Sequence, residues 1–283
     1  MKQQLKHCWI SKTSVQFLSM KNIMKIILSI LICLILTRNT FAQAPSSTNF
    51  YFTQITDTHL GKKEHYRRTK EAIDEINNLP MKVEFVAHTG DITADETENF
   101  VVVTNSTALF DQLKMPIHYT PGNHDIEQDN YDKTMAIYTN NFGKLIESHE
   151  YNGVVFVFVY TQPLAKTFIV DFNPFKELEQ ELKKTNGKPV IIFHHQPSCE
   201  SFYKNKIHPG WRSDINNVWI QIVNKYNVKA IIAGHLHNDE HNWVGEVPLY
   251  VCPAIAGYWD KQGAYRIYEY KDGKISYRSM TVK

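Results

Sequence analysis

The sequence predicts an α/β fold in which much of the sheet is parallel. Short apolar runs alternate with longer amphipathic ones from Asn49 onward, and the runs are rich in Val, Ile, Phe and Tyr and bounded by Gly, Pro, Asn or Asp. The stretch after Pro248 lacks a helical pattern and suggests a closing antiparallel meander.

In chain order, the strand candidates are Phe50–Ile55, Val83–Ala87, Pro116–Tyr119, Val154–Tyr160, Pro189–Phe193 and Lys229–Ala233. Pro248–Ile255, Ala264–Tyr270 and Ile275–Val282 complete them. The clearest helices between them are His65–Asn78, Pro174–Lys184 and Ser213–Tyr226. Pro174 stands in the first turn of the second helix, with Glu177 and Glu179 near its start and Lys183 and Lys184 at its end, which complements the helix dipole. Asn186-Gly187 then stops it.

At 283 residues and 43% apolar content the chain has enough material for one large core. Residues 1–42 hold six basic residues (Lys2, Lys6, Lys12, Lys21, Lys25, Arg38) and no acidic ones. Removing these six from 31 leaves 25 basic against 29 acidic residues, a net charge of −4. A mildly acidic chain has no electrostatic footprint for the nucleic-acid backbone, which argues against sequence-specific nucleic-acid binding.

Lys21 and Lys25 precede the 11-residue run Ile26–Leu36, and small residues follow at Thr40–Gln43. That order predicts a cleaved secretory signal, a natural start at Met20 and a mature chain beginning near Gln43, hence a secreted or periplasmic protein. At about 1.5 Å per residue the run covers about half of a bilayer core of about 30 Å, so no stable membrane span is expected after cleavage. Residues 43–283 then form a single domain. Cys199 and Cys252 remain in the mature chain, as a disulfide or as two buried thiols.

Five runs carry chemistry: Asp57-Thr58-His59, Gly90-Asp91, Gly122-Asn123-His124-Asp125, His194-His195-Gln196-Pro197 and Gly234-His235-Leu236-His237. Each follows a strand candidate, and loops beyond the carboxyl ends of strands in open α/β sheets converge on one crevice. Taken singly, each reads as a turn, a cap or a hydrogen-bonded histidine. Five charged clusters at five strand ends need compensating cations. Two Asp, several His and one Asn amide, with no obligatory cysteine, suit Mn, Fe or Zn. The set is too large for one four-coordinate zinc and fits two ions if one carboxylate bridges them.

In order and content these motifs resemble the calcineurin-like metallophosphoesterase family, with gaps of 34, 32 and 112 residues between Asp57, Asp91, Asn123 and His235. The resemblance covers about residues 50–255, with small cyclic-nucleotide-phosphodiesterase-like and purple-acid-phosphatase-like members nearest in length and in the His-His-x-Pro run. It implies a four-layer α/β/β/α sandwich of two mixed β-sheets flanked by helices.

It also implies Asp57, His59 and His237 on one metal, Asn123, a strand-end histidine and His235 on the other, and Asp91 bridging. The His-x-Pro spacing picks His195 for the strand-end ligand and leaves His194 on the opposite face or just behind the ligands. His124 is then the catalytic residue that assists at the phosphoryl group or leaving oxygen, with Asp125 placed to orient its ring.

The activity implied is hydrolysis of a small phosphorylated substrate, a phosphomonoester or phosphodiester, by attack of a metal-bridging hydroxide. The rival readings are a secreted metal-dependent binding protein, a nuclease and a protein phosphatase. His88 reads as a supporting or core histidine, and Asn238–His241 as a solvated polar loop or, alternatively, as substrate contacts. Trp211, Trp243, Tyr258 and Trp259 read as a rim that packs the core or stacks on substrate.

Overall fold

The computed structural model describes residues 49–165, 171–198 and 210–283. The leader, Met20, Cys33 and Cys199 lie outside the described residues. The described part falls within one unit, Ser47–Lys283.

Eleven strands form two mixed sheets among the described residues. The first contains β1 (Asn49–Ile55), β2 (Val83–His88), β3 (Ile117–Tyr119), β10 (Ala264–Lys271) and β11 (Lys274–Thr281), in the order β11-β10-β1-β2-β3. β1, β2 and β3 are parallel, whereas β10 and β11 are antiparallel additions. The second contains β4 (Ile146–Tyr151), β5 (Val154–Val159), β6 (Val190–Phe193), β7 (Val228–Ala233), β8 (Glu240–Val244) and β9 (Val247–Val251), in the order β4-β5-β6-β7-β9-β8. Its centre, β5-β6-β7-β9, is parallel, with β4 and β8 as antiparallel edges.

An aromatic layer glues the inner faces together. Phe52 stacks on Phe85 and Tyr268, and Phe156 and Phe193 of the other sheet meet Phe52 edge-on at 5.4 and 6.0 Å. Helices α1 (Lys63–Asn77), α2 (Phe100–Phe110) and α3 (Tyr131–Asn141) cover the first sheet, burying Ile73, Ile76 and Phe110 against it. After the short α4 (Gln162–Ala165), α5 (Pro174–Lys184) and α6 (Ser213–Lys225) cover the second with Leu178, Leu182 and Trp219. This is the expected four-layer sandwich. No helix among the described residues is long and apolar enough to cross a membrane.

Where strands are fully buried, sequence and structure agree: every residue of β5 and β6 is buried, as continuous apolar runs require. α5 begins as expected, with Pro174 in the first turn and the Asn173 side chain accepting from the Lys176 N–H. The structure adds β4 and β8, polar edge strands with half-exposed alternation, which the sequence does not distinguish from loops. It also adds α2, whose Phe-Val-Val-Val start favours a strand by propensity. The Asn99 side chain caps the first turn by accepting from Val101 and Val102, and docking on the sheet does the rest.

Candidate metal centre

All five motifs leave the carboxyl ends of parallel strands: β1, β2 and β3 from the first sheet, β6 and β7 from the second. The layers therefore deliver the motifs to one edge. Asp57, His59, Asp91, His235 and His237 all adopt left-handed backbone, with φ between 41° and 72°. Such geometry costs about 1–2 kcal/mol per residue and persists only where the surroundings enforce it.

Two glycines permit the tight convergence. A Cβ on Gly122 would lie 2.0 Å from Asp91 Oδ1, and one on Gly234 would lie 2.1 Å from Thr56 Oγ1 and 2.7 Å from Asp57 Oδ2.

The donor atoms fall into two groups. In the first, Asp57 Oδ1 is 3.1 Å from His237 Nε2 and 3.8 Å from His59 Nε2, and the two ring nitrogens are 3.4 Å apart. In the second, His195 Nε2 is 3.1 Å from Asp91 Oδ2, 3.2 Å from Asn123 Oδ1 and 3.2 Å from His235 Nδ1. Donors bonded to one ion at about 2.0–2.2 Å lie about 2.8–3.6 Å apart, so most of these spacings are those of ligand shells. Asp91 Oδ2 also lies 3.7 Å from His59 Nε2, within reach of both groups.

The surrounding hydrogen bonds leave the right lone pairs pointing inward. Asp57 Oδ2 accepts from the Thr56 hydroxyl and the His235 N–H, while buried Oδ1 accepts no hydrogen bond from the described residues. Asp91 Oδ1 accepts from the His124 N–H, leaving Oδ2 for the cluster. His195 Nδ1 donates to the Thr89 carbonyl at 2.7 Å, which fixes the tautomer with a lone pair on Nε2. His88 braces the first two loops through Thr58 Oγ1 at 3.0 Å.

Electrostatically the cluster calls for positive charge. Burial opposes charge on both carboxylates, yet the facing histidines outweigh it and hold Asp57 and Asp91 below the usual range. Burial likewise opposes charge on His195, but Asp91 and Asp57 push it up to about 9. Orphaned carboxylate oxygen, converging imidazole nitrogens and two buried carboxylates held ionised all fit two cations.

Each expected site residue has a clear place. Asp57, His59 and His237 form one group, Asn123, His195 and His235 the other, and Asp91 stands between them. His194 points away, buried against Trp211 and Trp219, where burial pushes it down to about 3. His124 is partly exposed, with Nε2 3.9 Å from Asp91 Oδ2. Burial opposes charge on its ring, and Asp91 with Asp95 outweighs burial and raises it.

The orienting role expected of Asp125 belongs instead to Asp95, whose Oδ1 lies 2.6 Å from His124 Nδ1. Asp125 is buried and staples the loops, accepting from the N–H groups of Ile92, Thr93 and Gly122. Burial and the Asp91 charge push it up to about 6. Asp95 lacks a motif of its own, and its left-handed φ of 57° is visible only in the fold.

Other expectations also change. Asp239 is not merely solvated: it accepts from the buried Arg266 guanidinium at 2.5 Å. Trp211 lies in the core 5.3 Å from Trp219, and Trp243 sits on β8, whereas Tyr258 and Trp259 line the cavity of about 630 Å³ over the cluster. Cys252 is a buried free thiol, pushed up to about 12 by burial.

A sandwich whose strand ends gather two sets of candidate metal-ligand side chains around a carboxylate within reach of both is the framework of a metal-dependent hydrolase. The chain belongs to the calcineurin-like phosphoesterase family, whose family model matches residues 50–239. It is accordingly a phosphoric ester hydrolase, as its motifs imply.

A probable cyclic nucleotide phosphodiesterase of Colwellia psychrerythraea is 26% identical over 260 residues, covering 82% of this chain and 95% of that protein. A serine/threonine-protein phosphatase of Danio rerio is 25% identical over 244 residues, covering 73% and 76%. Among solved structures, a dimetal phosphatase from Danio rerio shares the fold with a TM-score of 0.57 at 13% identity, over 83% of this chain and 99% of that one.

Proposed function

We propose that the chain hydrolyses a small phosphodiester outside the cytoplasm, using two ions drawn from Mn, Fe or Zn. Asp57, His59 and His237 hold one, Asn123, His195 and His235 the other, and Asp91 is shared. The observation that carries this reading is Asp91 Oδ2, which lies 3.1 Å from His195 Nε2 and 3.7 Å from His59 Nε2. When bound, such a pair supplies a nucleophile from water near neutral pH and neutralises charge on the phosphoryl oxygens.

The protein's own groups do the rest. Thr89 and the His235 N–H orient His195 and Asp57, so that the donor set is rigid before substrate arrives. His124, held through Nδ1 by Asp95, presents Nε2 toward the cluster and donates a proton to the leaving oxygen. The diester preference is supported by the Colwellia relative, whose name specifies cyclic nucleotides. Hydrolysis of a monoester is favoured by the phosphatase relative. The basic, apolar and small-residue order at Lys21–Gln43 supports export.

Elemental analysis of purified protein should give about two ions per chain, and Asp91→Asn should lower the content of both. Bis-p-nitrophenyl phosphate, p-nitrophenyl phosphate and cyclic nucleotides, each assayed with Mn, Zn and Fe, separate diesterase from monoesterase. Background rates in every combination would overturn the enzyme reading. N-terminal sequencing of exported protein should begin near Gln43, and an intact leader would refute export by cleavage.

A further inference from the structure

The cavity over the cluster, about 630 Å³, exceeds what a phosphoryl group needs and lies in the range of about 300–1,000 Å³ that encloses small organic ligands. One wall is aromatic. The Tyr258 ring lies 5.0 Å from His59, edge-on, and 5.1 Å from His237, stacked at 26°. The Trp259 ring lies 4.9 Å from His237, yet the residue remains 57% exposed. An indole is thus displayed at the mouth of the cavity, beside the side chains that hold the first ion.

The backbone that displays it is unusual. Trp259 and Asp260 are successive left-handed residues, with φ of 56° and 59°. A bulky residue in that region is an outlier that persists only where its surroundings over-determine it.

The surroundings do so here. Arg68 of α1 donates to the Ala256 carbonyl, and the Ala256 N–H donates to the Asp57 carbonyl at 3.1 Å. The Lys261 N–H closes the turn on the Tyr258 carbonyl at 3.2 Å. Its ammonium bonds Asn238 Oδ1 and the His237 carbonyl, 5.6 Å from the Trp259 ring centroid. The lip is therefore fixed to the same loops that carry Asp57 and His237.

Proton transfer and ion binding have no use for an exposed indole, whereas a rigid ring already in place loses little freedom when another ring stacks on it. We propose that Tyr258 and Trp259 form a subsite for a planar aromatic ring on the organic substituent of the ester. The base of a nucleotide is the chemical class that fits, with its phosphoryl group over the cluster. This inference rests on the phosphoesterase reading above and names the part of the substrate that reading leaves open.

Adenosine 5′-monophosphate and ribose 5-phosphate share phosphate and sugar and differ in the base, so their affinities isolate the subsite. By calorimetric titration of the manganese-loaded protein, the nucleotide should bind about 10-fold more tightly, the scale of one base stacking on an aromatic side chain. Trp259→Ala should cut that advantage below about 3-fold with ribose 5-phosphate unchanged, which also shows that the variant is folded and loaded, and Trp259→Phe should keep most of it.

Equal affinities in the unaltered protein, or equal weakening of both compounds by Trp259→Ala, would overturn the subsite while leaving the phosphoesterase intact. If neither compound bound and no phosphoester were hydrolysed, the phosphoesterase reading itself would fail, and the subsite with it.

Discussion

His124 donates from Nδ1 to Asp95 on the side remote from the cluster, so Nε2 faces the site, and the charged ring that Asp91 and Asp95 favour carries a proton there. Asp95 is therefore a positioning residue, and its contribution separates from ion binding. Asp95→Asn should lower kcat about 10-fold on esters with poor leaving groups, and His124→Ala about 100-fold, while both variants keep their ions. Elemental analysis alongside the rates checks this, and loss of metal from either variant would contradict the assignment. The His124 motif is plain in the sequence, but Asp95 is one acid among several in a loop between β2 and α2, and its pairing is decided by where that loop folds back.

At the level of elements, the loops work because small residues let them touch. Gly122→Ala would drive a methyl group to within 2.0 Å of Asp91 Oδ1, where the Asp91 carboxylate and backbone fill the space. The expected result is loss of most bound metal and at least a 100-fold drop in turnover, because about 1 Å of displacement at such a site is enough. A variant with full ion content would show that the loop absorbs the clash.

The edge strands carry a different device. His118 of β3 stacks on His149 of β4 with ring centroids 3.6 Å apart, beside Glu147 and with Tyr151 Oη 2.8 Å from Nε2. Burial and the neighbouring His149 push His118 down to about 4, against a weaker pull from Glu147. The unfolded chain takes up this proton near pH 6.5 and the folded protein resists until about pH 4, so stability is full above 6.5 and falls between those values. This one group should remove about 2 kcal/mol by pH 5. Urea unfolding at pH 7 and pH 5 should show a smaller loss in His118→Phe than in the unaltered protein, and an equal loss would refute the account.

Across the whole molecule, a polar chain, buried except at its exposed end Asp239, ties the two sheets behind the site. Asp239 pairs with Arg266, Arg266 with the Tyr268 hydroxyl, and that hydroxyl donates to Gln54 Oε1. Gln54 Nε2 in turn meets Thr89 Oγ1 and the Ala233 carbonyl of the other sheet. The chain thus begins two residues after His237 and ends at the residue whose carbonyl fixes His195. Arg266 is fully buried, so Asp239→Ala strands a guanidinium that retains only its tyrosine contacts. Because Asp239 is itself partly exposed, chemical denaturation should show a loss of about 2 kcal/mol, and metal titration a weaker half-site at His237. A loss below about 1 kcal/mol would mean that Tyr268 and Tyr277 alone satisfy the arginine.

The sequence by itself determined the α/β class, the five strand-end motifs and the donor chemistry. Those depend on local signals: continuous Val-Ile-Phe runs mark buried strands, and Gly-Asp, Gly-Asn-His and Gly-His-x-His stand where such runs stop. Only the tertiary structure decided that Asp95 rather than Asp125 holds His124, that Asp239 is ion-paired, and that α2 is a helix despite its β-branched start. It also decided that Trp211 is core while Trp259 stands at the cavity mouth. Each of those outcomes depends on partners brought together by packing, such as the 27 positions between Asp239 and Arg266 or the 29 between Asp95 and His124. Local composition is the same whether an aspartate meets water, a backbone N–H or a buried cation, because the distinction arises from burial, which the chain acquires only on folding.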